Sequence, residues 1–206
     1  MTKSGSCSRR GFIASVLALA APFARAEPRL DASTLAIIAA AVAQTKVPVT
    51  YDGSYRRIPY PGGDVPTNIG VCTDVVIRAY RAIGVDLQQL VHEDMSVAFS
   101  AYPRLWGLTS PDANIDHRRV PNLQTFFRRR GASLPIPRTA TPIAPGDLLT
   151  WLLPGNLPHI GMAIDRRSTE GERPLIVHNI GRGPKVEDVL FQFPMTGHFR
   201  FRPRSA

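Results

Sequence analysis

Apolar residues recur at helical spacing through the first two-thirds of the chain and in short runs through the last third. Leu35, Ile37, Ile38 and Val42 predict a first helix, which Asp31 or Ser33 can cap by accepting a hydrogen bond from a first-turn N–H. Cys72, Val76, Ala79, Tyr80 and Ile83 fall on one face of a second helix over 72–83, and Gly84 follows where a left-handed residue ends a helix cheaply. Asp86 caps a third helix carrying Leu87, Leu90, Val91 and Met95, and a fourth runs from Pro121 to Gly131. After Pro145 the period shortens. Residues 147–153, 159–165 and 175–180 read as strands, with weaker ones over 186–192 and 197–202. Helices first and a meandering antiparallel sheet second predict an α+β domain over residues 27–206.

One apolar run fits no element of that domain. Residues 12–23 follow the pair Arg9-Arg10, are too short to span a bilayer, and lead into the small-x-small sequence Ala24-Arg25-Ala26. This is the pattern of a twin-arginine export signal over 1–26, and it predicts a periplasmic or otherwise exported chain beginning at Glu27. The formal charge of +9 falls to +5 when Lys3, Arg9, Arg10 and Arg25 leave with the signal. That moderate basicity suits an anionic envelope and does not argue for nucleic acid. The mature chain carries no predicted membrane span, internal repeat or low-complexity tract, and 19 prolines in the sequence indicate many loops.

Cleavage removes Cys7 and leaves Cys72 alone. A lone cysteine in an exported chain is buried and inert, pairs between molecules, or is a nucleophile. Cys72 opens a helix, where unpaired N–H groups and the helix dipole favour a thiolate. His159 opens a strand and His178 lies within the next. A cysteine hydrolase needs these three parts: a nucleophile, an imidazole to take its proton, and a polar group to orient the imidazole. On the second strand, residues 159, 161 and 163 share a face. Gly161 and Ala163 are small, so that face is expected to receive the helix bearing Cys72. His178 and Asn179 point to opposite faces, and only one can meet His159. His92 and His198 read as structural residues.

The segments Pro145–Leu149, His159–Ile164 and Val177–Asn179 resemble the core strands of NlpC-type cell-wall peptidases of the papain-like superfamily. That resemblance implies Cys72 as nucleophile, His159 as base and His178 as third polar residue, with Tyr60 bordering the site. A longer resemblance, spread over 51–55, 70–76, 90–95 and 114–123, is to the exported bacterial family of domain of unknown function 1287. Here Val71-Cys72-Thr73-Asp74 replaces the peptidases' usual Asp-Cys-Ser-Gly, and about 87 residues separate Cys72 from His159.

The resemblance implies an NlpC-type fold and cleavage of amide bonds in the cell envelope, with peptidoglycan or its stem peptides as partner. Acyl transfer on another substrate is one alternative; a non-catalytic binding or regulatory module is another. Tyr60, Asp74, Asp116, His117, Arg118 and Arg119 are the expected substrate contacts. The two arginines can fork a stem-peptide carboxylate. The opposing reading is that residues 114–119 only tie down a loop. Asp116-His117 lacks a second ligand cluster, so no metal is expected, and no cofactor.

Overall fold

The computed structural model describes residues 1–2 and 30–202. The predicted export signal lies outside the described residues. Among the described residues there are four α-helices: α1 (Ala32–Ala43), α2 (Cys72–Arg81), α3 (Leu87–Ala98) and α4 (Val120–Arg129). Asp31 rather than Ser33 caps α1, taking the Thr34 N–H at 2.8 Å. Asp86 caps α3 through the Gln88 N–H at 3.0 Å. Gly84, at φ 80°, sits just beyond α2 in the conformation expected of it.

Two short strands, β1 (Thr50–Tyr51) and β2 (Ile69–Gly70), pair in parallel immediately before α2. The main sheet holds β3 (Ser133–Leu134), β4 (Leu148–Leu153), β5 (Leu157–Arg167), β6 (Pro174–His178), β7 (Lys185–Glu187) and β8 (Met195–Phe199), in the order β3-β8-β4-β5-β6-β7. Every pairing in it is antiparallel. The fold is therefore α+β. The run β4 to β7 is a meander, and β8 returns to lie against β4.

Period-2 alternation divides β5 between two cores. Ile160, Met162 and Ile164 face the helices and pack in one cluster with Cys72, Val76 and Tyr80. Ala163 faces away and packs with Leu149, Trp151, Ile176, Val189 and Leu190. The expectation that α2 packs on the 159/161/163 face is thus overturned. The helix takes the face with larger side chains, because burying Ile160, Met162 and Ile164 removes more apolar surface from water. Gly161 serves another purpose. A Cβ there would lie 2.7 Å from Ile176 Cγ2 and 3.0 Å from His178 Cβ. Its lack of a side chain lets β6 bring His178 close to β5.

Candidate functional site

Cys72 stands at the first turn of α2, directly after β2. Residue 71 at the cap is valine, which has no side-chain acceptor to offer the first turn. Asp74 supplies half of a capping arrangement, taking the Val71 N–H at 2.6 Å. The thiol is buried, with the Ile160 N–H and the Tyr51 hydroxyl against it. Burial pushes its pKa up to about 11, and the Ile160 N–H offsets this only in part. The expectation of a depressed thiolate pKa is therefore corrected. In this packing desolvation exceeds the helix-end effect, and the resting group is a neutral thiol.

His159 and His178 meet on the far face of the sheet. His159 Nε2 lies 2.9 Å from His178 Nδ1, and the rings are edge to face at a centroid distance of 5.1 Å. Trp151, held by its indole N–H to the Leu190 carbonyl, covers the pair with its ring centroid 5.9 Å from that of His159. Beyond His178 the chain continues, with Nε2 3.0 Å from Glu187 Oε2. Burial, reinforced by the neighbouring His178, pushes His159 down to about 3. Burial also lowers His178, with Glu187 opposing it. Both rings are neutral at neutral pH.

Among the described residues the His159 ring has one hydrogen-bond partner, His178, and no hydrogen bond joins it to Cys72. The thiol meets this strand through main chain alone: Ile160, the next residue, presents its N–H to it, while the His159 ring points to the opposite face and does not line the cleft over Cys72. Asn179 faces the other way and reaches the Gly70 carbonyl at 3.5 Å, two residues before Cys72.

A cleft of about 500 Å³ opens over Cys72, lined among others by Tyr51, Tyr55, Trp106, Arg119 and Leu157. Tyr60 does not reach it. That ring is exposed and packs edge-on against His92, with centroids 4.9 Å apart. The tyrosine beside the thiol is Tyr51, set there by the β1–β2 pair. A two-residue strand carries too little periodicity to be read from sequence, and this is why Tyr51 escapes that reading.

Segment 114–119 splits between the two roles foreseen for it. Arg118 is spent inside the protein. Its Nε and Nη2 both donate to Asp74 at 2.9 Å, and Nη2 also donates to the Asp52 carbonyl at 3.1 Å. Asp74 is therefore a partner of Arg118 and of the helix end, and neither residue is free for a substrate carboxylate. Thr73 ties the same turn by donating its hydroxyl to the Arg118 carbonyl at 3.0 Å. Asp116 is buried under the Asp112 N–H at 2.5 Å. His117 is buried too, pushed down to about 4 first by burial and then by Arg118. Neither residue lines the cleft.

Arg119 does line it. Its guanidinium stacks 4.2 Å from the Trp106 ring centroid, and its ion pair with Asp116 is long at 3.5 Å. Trp106 holds the left-handed conformation at φ 61°, which costs a bulky residue about 1–3 kcal/mol and so marks a constrained wall. Among the described residues no group of three or more His, Cys, Asp or Glu side chains is placed to hold a metal ion.

The family model described as "Domain of unknown function (DUF1287)" matches residues 38–201. The chain is also 48% identical over 174 residues to the "Uncharacterized protein YijF" of Escherichia coli (strain K12), with 84% of each chain covered.

Proposed function

The chain belongs to the family of domain of unknown function 1287, and from that premise we propose that it is an exported thiol-dependent hydrolase of NlpC-type, papain-like architecture. Its substrates are amide bonds of the cell envelope, with peptidoglycan stem peptides as the favoured class. The observation that carries the reading is the orientation of His159. Its Nε2 is engaged by His178, its Nδ1 has no hydrogen-bond partner among the described residues, and the residue after it presents its N–H to the Cys72 thiol.

In this reading the Sγ proton passes by way of a water to His159 Nδ1, which lies across the strand from the thiol, as sulfur attacks the amide carbonyl carbon. The C–N bond breaks, and the same proton passes to the leaving amine. Water, deprotonated by His159, then hydrolyses the thioester and restores the thiol. The resting pair is neutral, so proton transfer accompanies attack and no preformed ion pair is used. Arg119 offers a planar donor fork to a substrate carboxylate inside the cleft. Export follows from the N-terminal signal. Arg9→Lys with Arg10→Lys is expected to hold the precursor inside the cell, and normal periplasmic levels in fractionation would refute that route.

Burial of the thiol and the absence of a Cys72–His159 hydrogen bond favour a second reading, a non-catalytic module that binds envelope peptides in the same cleft. Incubating the protein with purified peptidoglycan and resolving the products by mass spectrometry decides between them. The hydrolase reading expects new amine and carboxyl termini that vanish in Cys72→Ala. Retention of intact stem peptides with no products would support the binding module.

A further inference from the structure

Glu187 has no part in the three-residue scheme above, yet it closes the chain of hydrogen bonds that ends at His159. It sits on β7, the edge strand of the sheet. Its side chain is 45% exposed, whereas that of His178 is fully buried. An ionised carboxylate only accepts hydrogen bonds, and a neutral imidazole has one N–H and one lone pair. These two facts fix every proton along the row. Oε2 accepts, so the 3.0 Å contact requires the His178 proton on Nε2. His178 Nδ1 is then the lone pair, and the 2.9 Å contact requires the His159 proton on Nε2. His159 Nδ1 is left bare.

We infer that Glu187 is a positioning residue that sets the tautomers of both histidines, so that His159 presents a lone pair on Nδ1. Without an obligate acceptor at that end the row can run backwards. His178 would then donate from Nδ1, His159 would accept on Nε2, and the His159 proton would move to Nδ1. A protonated Nδ1 cannot take a proton from a thiol. The use of the lone pair as a base rests on the hydrolase reading; the tautomer itself does not.

The charged surroundings of the carboxylate fit this role. Lys185 stands opposite His178 in the strand register, and Arg182 lines the same surface cleft as Glu187. Both are cations beside the carboxylate. Asp188, the neighbouring acid, is bonded to Arg173 at 2.6 Å.

Nitrogen-15 NMR of the ring nitrogens in the whole labelled chain tests the inference without any substrate. At neutral pH the wild type is expected to show His159 with Nε2 protonated and Nδ1 bare. Glu187→Lys replaces the acceptor with a donor and is expected to reverse both rings. Glu187→Gln, which can donate or accept, should give a mixture and covers the case in which the lysine variant fails to fold. Lys185→Ala, a change of charge beside the row but not in it, should leave the pattern as in wild type. A protonated Nδ1 on wild-type His159 would overturn the inference, as would an unchanged pattern in Glu187→Gln with the fold intact. If turnover is found, Glu187→Gln should lower kcat about 10-fold or more with KM little changed, in line with loss of part of a general-base contribution. Tautomers that behave as expected in a protein without turnover would leave this inference standing and remove the hydrolase reading alone.

Discussion

The sheet holds two buried histidines that face a carboxylate, and they differ in how their hydrogen bonds end. Around Asp147 the network is closed. His198 Nε2 lies 2.8 Å from Oδ2, Arg200 donates at 2.7 and 2.8 Å, and the Ala144 N–H adds a fourth bond at 2.9 Å. The other ring nitrogen of His198 is taken by the Pro135 carbonyl at 3.1 Å. At Glu187 the row passes through His178 to His159 and stops at an Nδ1 with no partner among the described residues, next to the strand residue whose N–H meets Cys72. A saturated cluster specifies structure, whereas a row with a free end has a site left to act with.

If the open row is the working end, its removal should cost function far more than stability. Cys72→Ala and His159→Ala are each expected to lower release of peptidoglycan fragments by about 10³-fold or more, within the range seen when a nucleophile or base is lost. His178→Ala, which removes only the orienting ring, should be impaired but measurable. Product counting by mass spectrometry on variants with matched unfolding curves provides the check. Activity in Cys72→Ala comparable to wild type would erase the distinction between the two clusters.

The closed cluster should behave in the opposite way. Asp147→Asn strips the charge from a fully buried carboxylate and leaves His198 and Arg200 with a poorer acceptor. A loss of about 3 kcal/mol of unfolding free energy is expected, the lower part of the range for breaking a buried ion pair. Urea denaturation measures it. A loss below about 1 kcal/mol would mean that the cluster is as dispensable as a surface pair.

Acid should separate the two in pH. Burial keeps His159 neutral down to about 3 and His117 down to about 4, both below the unfolded value near 6.5. The unfolded chain therefore binds protons that the native state refuses. Stability is full above about 6.5 and falls as pH drops toward 4, by about 1.4 kcal/mol per pH unit for each histidine well inside that window. For Asp147, burial raises the pKa, but the bonds from Arg200 and His198 outweigh it and hold the carboxyl below its usual range. Its contribution is present above about 3.8 and is lost only below that, as pH falls through the folded value. Urea midpoints measured from pH 7 to pH 4 should decline, and His159→Asn should make the decline shallower. A flat wild-type profile would show that neither ring is held neutral by the fold.

The sequence carried the parts of this contrast that depend on local pattern. Period 2 placed His178 and Asn179 on opposite faces, and the paired histidines show which of them meets His159. Capping residues located the starts of α1 and α3 for the same reason: a cap is a local hydrogen bond. Contacts set by distant segments were not legible. Nothing in the order Asp116-His117-Arg118-Arg119 says that Arg118 turns inward to Asp74, 44 residues earlier. Glu187 lies on a three-residue edge strand and meets His178 only through sheet pairing. The small residues of β5 suggest room for α2 on their face. In fact Gly161 makes room for His178, and the helix follows the larger apolar surface.

The smallest expected effect sharpens the same idea at the cleft, where two neighbouring arginines repeat the closed and open pattern. Arg118 has a buried carboxylate on its fork and a carbonyl behind it, so Arg118→Lys loses the bidentate geometry and should lower stability by about 1–2 kcal/mol. Arg119 leans on Trp106 with only a long ion pair to Asp116. Arg119→Lys should therefore fold normally. Lysine keeps the charge but loses the planar fork and part of the stacking on Trp106, so KM for stem peptides ending in a free carboxylate should rise about 3- to 10-fold with kcat little changed. The sign of the comparison matters more than its size. A substrate in which that carboxylate is amidated should bind the wild type and Arg119→Lys equally, because the difference between them lies in the fork. If the amidated and free forms respond alike to Arg119→Lys, the arginine is a wall of the cleft and contributes nothing to recognition. If Arg118→Lys raises KM selectively without loss of stability, the assignment of the closed and the open arginine must be exchanged.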